Sequence, residues 1–145
     1  MTYNNVVSKM RELARDLLRL KATERFRQEI LGLENNKKIH NEFIESLNKD
    51  IARTDFKISE IKDNDPDKES KLENLKEVKK NLEDTIEKEN EAIENINKEI
   101  TKVNEKIEKL QKGELLVDAD SLDKVTNQLL EEYVGNLAKQ FVEGN

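Results

Sequence analysis

Apolar residues recur at alternating intervals of three and four along much of the chain. Between Leu72 and Leu110, twelve positions follow this heptad spacing and ten of them are apolar. A sustained a/d repeat of this kind indicates a coiled-coil helix. The same spacing runs less strictly from Phe26 to Ile61, where eight of eleven positions are apolar. The pattern therefore predicts an all-α protein with two long coiled-coil helices, here called arms 1 and 2.

The chain between the arms predicts how they meet. Residues 63–70 form an acidic loop, in which Pro66 interrupts the repeat and Asp65 is placed to cap the next helix. We therefore expect an antiparallel hairpin, with arm 1 at 23–62, arm 2 at 71–112 and the tip near residue 65. A parallel coil between chains is the alternative.

The apolar positions of the two arms define a register for the hairpin. In this register the residue numbers of two opposed seam positions sum to 133. Leu47, for example, lies opposite Ile86. The predicted seam residues are Ile44, Leu47, Ile51, Ile58, Ile61, Leu72, Leu75, Leu82, Ile86, Ile93, Ile96, Ile100, Val103, Ile107 and Leu110.

The flanks of arm 2 indicate that more than two helices are in contact. Its e and g positions include the uncharged residues Asn90, Asn97, Asn104, Val78, Thr85 and Ala92. A two-helix coiled coil usually carries charge at these positions. Uncharged flanks widen the stripe that can be buried, so we expect a homo-oligomer.

A basic amphipathic helix is predicted at residues 1–22. Its apolar face ends near Lys21, and we expect a kink or a break in the helix at residues 21–23 before arm 1 begins.

An acidic amphipathic helix is predicted at residues 121–143. Gly113 is placed to cap the end of arm 2. A loop at 113–120 follows, and Asp120 or Ser121 is placed to cap the last helix. We expect the first and last helices to pack their apolar faces together as a small head.

Composition agrees with helices that bury narrow stripes. Of 145 residues, 40% are charged and 34% are apolar, whereas an ordinary domain is nearly half apolar and about a quarter charged. The absence of cysteine excludes disulfides and thiolate zinc sites. No apolar run approaches the roughly 20 residues that span a bilayer, and no classical secretory signal is recognisable. We therefore expect a cytoplasmic or virion-associated protein with no membrane span.

The net charge of −6 is unevenly distributed. Residues 1–27 carry +4 and residues 114–145 carry −5. These opposite charges favour packing between the first and last helices. Frequent lysine, asparagine and isoleucine are typical of AT-rich genomes, which include those of many phages and low-GC bacteria.

Candidate catalytic chemistry is sparse. His40 is the only histidine, and it lies at a d position, where we expect it near Glu89. The four glycines are too isolated to form a phosphate-binding loop. We therefore expect neither an enzyme nor a cofactor, and we assign no catalytic residue.

The acidic tip is the candidate metal site. Its carboxylates belong to Asp63, Asp65, Asp67 and Glu69, but Lys68 and Asn74 replace the glycine and the last glutamate of a calcium loop. Capping and solvation of a turn account for these acids, so no metal is expected. Long hairpins with acidic tips resemble bacterial transcript-cleavage factors, and the resemblance implies metal-binding acids carried into RNA polymerase. It covers the hairpin and tip only, because those proteins continue into a β-rich domain.

Partner binding is expected from a basic stripe and from outward-facing apolar side chains. The stripe is spaced by four residues and meets either phosphate or carboxylates. We prefer pairing with acidic residues of the last helix, because the chain is acidic and no aromatic residues lie between the arginines. The candidate partner-binding residues are Arg11, Arg15, Arg19, Phe56, Leu129, Tyr133 and Phe141.

These features favour a non-enzymatic scaffold, adaptor or structural assembly protein, with a phage virion or assembly component as a natural setting. The expected partners are other copies of the chain and other proteins of an assembly, rather than nucleic acid. Two alternatives stay open. One is a helical export or assembly chaperone, and the other is a regulator directed at nucleic acid or RNA polymerase through the arginine stripe or the acidic tip.

Overall fold

The computed structural model of the protein describes residues 2–114 and 117–143. In these residues the chain is all-helical, without strands, which confirms the predicted fold class. The helices are α1 (Tyr3–Ser59), α2 (Lys68–Gln111) and α3 (Ala119–Glu143).

The chain divides into two compact units. Unit 1 comprises Met1–Glu29 and Val103–Asn145, and unit 2 comprises Ile30–Lys102. Both cores are thin. The buried apolar residues of the described part of the chain are Ala14, Val103, Leu110 and Leu122 in unit 1 and Leu47 in unit 2.

Helix α1 runs without interruption through residues 21–23, so a break there is wrong, and the alternative of a kink stays a prediction. No proline or glycine occurs at these positions to end a helix. The buried face also continues beyond Lys21, because Thr23 is buried and Ala22 and Phe26 are half-buried. The first predicted helix and arm 1 are therefore one element.

The tip is shaped by local hydrogen bonds. The hydroxyl of Ser59 donates to the carbonyl of Phe56 at 2.6 Å, at the end of α1. The Asp65 carboxylate accepts the backbone N–H of Asp67 at 2.8 Å, so Asp65 forms a turn just before the helix. The Lys71 N–H donates to the Asp67 carbonyl at 3.0 Å, which places the helix cap at Asp67 and not at the predicted Asp65. Regular α-helix then begins at Lys68.

The end of α2 also follows its sequence signal. Gly113 adopts a left-handed φ of 77°. Its N–H donates to the Leu110 carbonyl at 3.3 Å, and the N–H of Glu114 donates to the Lys109 carbonyl at 2.9 Å. This pair of hydrogen bonds is a Schellman motif, so the predicted glycine cap is confirmed.

The cap of α3 differs from the prediction. Asp118, rather than Asp120 or Ser121, caps this helix, because its carboxylate accepts the Ser121 backbone N–H at 3.2 Å. The Ser121 hydroxyl donates to the same carboxylate at 3.1 Å. Helix α3 therefore begins at Ala119, two residues before the predicted start.

In unit 2, burial follows the heptad spacing of both helices. Every a and d position between Ile30 and Ile100 is buried or half-buried, while most residues between them are exposed. The polar residues in these positions are Lys37, His40, Thr54, Lys79 and Glu89.

Candidate interaction surface

Two ion pairs join α1 to α2 within unit 2. Lys79 Nζ lies 2.8 Å from Asp55 Oδ1, and His40 Nδ1 contacts the carboxylate of Glu89. The hydrogen bond that Lys79 donates to Asp55, together with the charge of Asp55, raises the pKa of Lys79. Because Lys79, His40 and Glu89 interrupt the apolar seams, these pairs satisfy polar groups that the sequence places between the helices.

Lysines neutralise two of the carboxylates at the tip. Lys68 Nζ lies 2.8 Å from Asp63, and Lys71 Nζ lies 2.6 Å from Asp65. The Lys68 contact lowers the pKa of Asp63, while the hydrogen bonds from Lys71 and from the Asp67 N–H lower that of Asp65. No cluster of three or more metal-ligating side chains occurs among the described residues.

The three stripe arginines lie in different environments within unit 1. A terminal guanidinium nitrogen of Arg11 lies 3.5 Å from Asp123 of α3, and Arg15 is half-buried. Arg19 Nε is buried and has no hydrogen-bond partner among the described residues. Arg11 therefore meets the acidic last helix, and Arg19 has an unsatisfied buried donor.

Arg19 lines a cleft in unit 1, here called the basic cleft, with a volume of about 710 Å³. Its walls are formed by Asp16, Arg19, Leu20, Lys21, Thr23, Glu24, Arg27, Leu110 and Gln111. Leu20 is 67% exposed, and Leu13 and Leu17 are exposed on the same helix. We call these three leucines the N-terminal strip.

The first half of α3 packs in unit 1. Leu122 and Thr126 are buried. Val125 and Leu129 line a cavity of about 230 Å³ together with Leu17 and other residues of α1. Leu129, a candidate partner-binding residue, is therefore half-buried beside α1.

The second half of α3 is exposed at every residue from Glu131 to Val142. We call its apolar side chains the C-terminal surface: Tyr133, Val134, Leu137, Phe141 and Val142. The expected mutual covering of the first and last helices is therefore incomplete. The sequence held a signal for this difference, because the apolar face of the last helix extends over 21 residues (122–142) and that of the first over 15 (6–20).

Unit 2 also exposes apolar side chains. Phe56, the candidate from the sequence, is 62% exposed, as is Ile39. Phe43 at a g position is exposed too, and sequence reasoning did not single it out. Ile39 and Phe43 are four residues apart, so they lie on one side of α1.

Comparisons with protein-family models, curated proteins and solved structures gave no match. Among the described residues, no helix has the length and apolar character needed to cross a membrane.

Proposed function

We propose that the protein is a non-enzymatic coiled-coil scaffold or adaptor that self-associates and contributes to a larger assembly. The observation that carries this proposal is the imbalance between buried and exposed apolar residues. Among the described residues, 5 apolar residues are buried, while 14 large apolar residues are exposed. Where exposed apolar side chains lie close together, as in the C-terminal surface, they mark a protein–protein contact site.

In this proposal, unit 2 is an antiparallel coiled-coil hairpin with its tip near residue 65. The two ion pairs support this arrangement. From Asp55–Lys79 to His40–Glu89, the α1 partner moves 15 residues toward the N terminus and the α2 partner moves 10 residues toward the C terminus. Opposite directions of travel are expected of antiparallel neighbours.

Self-association accounts for the uncharged residues at the e and g positions of α2. Thr85 and Ala92, both at g positions of α2, are half-buried, and Val78 at another g position is exposed. An apolar stripe that extends beyond the a and d positions matches contact with a third or fourth helix. The proposed partners are therefore other copies of the chain, together with further proteins of the assembly.

The setting that we propose is a phage virion or its assembly. Small size, acidity and AT-rich codon usage, inferred from frequent lysine, asparagine and isoleucine, support it. A location in the cytoplasm or the virion follows from the same proposal.

An assembly or export chaperone is the second candidate, and the C-terminal surface favours it. An exposed apolar helix face can bind an amphipathic helix of a client protein. A chaperone of this kind stays monomeric until it meets its client, whereas the scaffold associates with itself.

Sedimentation equilibrium of the full chain at neutral pH separates the two candidates. The scaffold proposal predicts an average mass that rises with concentration to that of a stable oligomer. A chain that stays monomeric at the highest soluble concentration contradicts the proposal. Stoichiometric capture of one helical client by such a monomer supports the chaperone instead.

A further inference from the structure

We infer that the C-terminal surface of α3 binds the N-terminal strip of α1 in a second copy of the chain, and that the contact is reciprocal. This inference rests on the proposed self-association and names the interface that produces it. Both surfaces belong to unit 1.

The second half of α3 exposes apolar side chains that a partner helix would bury. Leu137 and Val134 are exposed, and Val142 is 77% exposed. A short helical segment has little stability in water by itself, so an amphipathic face is normally held by packing. No side chain from Glu131 to Val142 is buried in the described part of the chain.

The N-terminal strip and the C-terminal surface have matching residue spacings along their helices. The strip residues Leu13, Leu17 and Leu20 are separated by four and then three positions, and so are Phe141, Leu137 and Val134 when read in the opposite direction. Two antiparallel helices therefore place them in register, with opposed numbers summing to 154. The opposed pairs are Leu13 with Phe141, Leu17 with Leu137, and Leu20 with Val134.

Charge also favours this pairing of the two helices. In this register the flanking positions place Lys21 beside Glu131, and Asp16 beside the neutral Gln140. The segments as a whole are also complementary, with +4 on residues 1–27 and −3 on residues 119–143. The same register brings Tyr133 beside Thr23, at the edge of the basic cleft, whose volume of about 710 Å³ leaves room for an aromatic side chain.

The contact between the N-terminal strip and the C-terminal surface is made between two copies of the chain. Within one chain, α3 already meets α1 through its first half, with Arg11 paired to Asp123 and Leu129 beside Leu17. The strip and the C-terminal surface are both exposed in that arrangement. A second copy offers the same strip and the same surface, so a two-fold axis satisfies both contacts at once.

Charge reversal with mixing tests the inference. Lys21→Glu places two glutamates together in each homodimer contact, and Glu131→Lys places two lysines together. We expect each variant to self-associate on the order of tenfold more weakly than the wild-type chain. An equimolar mixture regains wild-type association, because in the mixed dimer both contacts pair unlike charges. A contact within one chain is not repaired by mixing.

The controls separate this interface from self-association in general. Lys139→Glu makes the same charge change on the far side of α3, since residues two apart lie about 200° apart around a helix. It is expected to associate normally. Leu137→Asp should abolish association, whereas Leu31→Asp, at a leucine of unit 2 that is 56% exposed against 48% for Leu137, should not.

The outcomes are distinguishable. A wild-type chain that is monomeric overturns both the proposed function and this inference. A wild-type oligomer that is indifferent to Lys21→Glu, Glu131→Lys and Leu137→Asp overturns the inference alone, and so does a mixture that associates no better than its components.

Discussion

At the scale of single residues, the polar groups in the heptad seams are the informative ones. His40 and Glu89 both occupy d positions, and their side chains meet between α1 and α2. A shift of the two helices along each other would separate these side chains and leave each half-buried polar group without its partner, which costs free energy. We therefore expect this pair to fix the alignment of the two helices.

A double-mutant cycle measures that coupling. His40→Ala and Glu89→Ala each leave one half-buried polar group without its partner, so the double variant should be more stable than additivity predicts. We expect a coupling of about 0.5–1 kcal/mol from urea denaturation at neutral pH. Glu87→Ala, an exposed neighbour on α2, is the matched control and should show no coupling with His40. Equal coupling for both glutamates would contradict the account.

The sequence predicted contacts between individual side chains where the heptad register brings those side chains together. The heptads placed His40 near Glu89, and the contact confirms it. They also placed Lys79 opposite Thr54, but the ammonium pairs with the adjacent Asp55. The reason is chemical, because Thr54 offers no charge and its hydroxyl donates to the Asp50 carbonyl at 2.9 Å.

At the scale of helices, the ends are set by short-range chemistry. Gly113 adopts a backbone conformation that side chains with a Cβ rarely enter. A Cβ added there would lie 3.7 Å from the Arg19 guanidinium, which is an ordinary contact. The glycine is therefore required for its backbone and not for space.

Two alanine substitutions test this distinction. Gly113→Ala should lower the free energy of unfolding by about 1–2 kcal/mol, since left-handed backbone strains an alanine. Gly32→Ala should raise it by up to about 1 kcal/mol, because Gly32 lies inside α1 and an added Cβ meets nothing within 4 Å. Thermal or urea denaturation gives both values. Effects of the same sign would show that the cap is not what Gly113 contributes.

The accuracy of prediction for each element follows the range of the interactions involved. The turn at Asp65 and the cap at Gly113 depend on neighbouring residues, so the sequence predicted the Gly113 cap and placed the N-cap of α2 within two residues. The continuity of α1 past Lys21 depends on tertiary burial of Thr23, which an apolar arc of one helix does not encode. The exposure of the second half of α3 depends on where its neighbouring helices end. The sequence indicated this only through the difference in length between the apolar faces of the first and last helices.

At the scale of the whole molecule, charge is unevenly distributed along the chain, with +4 on residues 1–27 and −5 on residues 114–145. The charge asymmetry seen in the sequence is expressed within unit 1 by the pair of Arg11 with Asp123. Lys21 and Glu131 are exposed, and in our account they meet across the contact between copies.

A disulfide trap tests this central claim most directly. The chain has no cysteine, so Leu17→Cys and Leu137→Cys variants each carry a single thiol. Disulfides form readily only where the Cα atoms approach within about 7 Å. Mild oxidation of an equimolar mixture should give mainly a covalent dimer with one chain of each variant. Like-with-like dimers, or no dimer at concentrations where the unmodified chain self-associates, would contradict it.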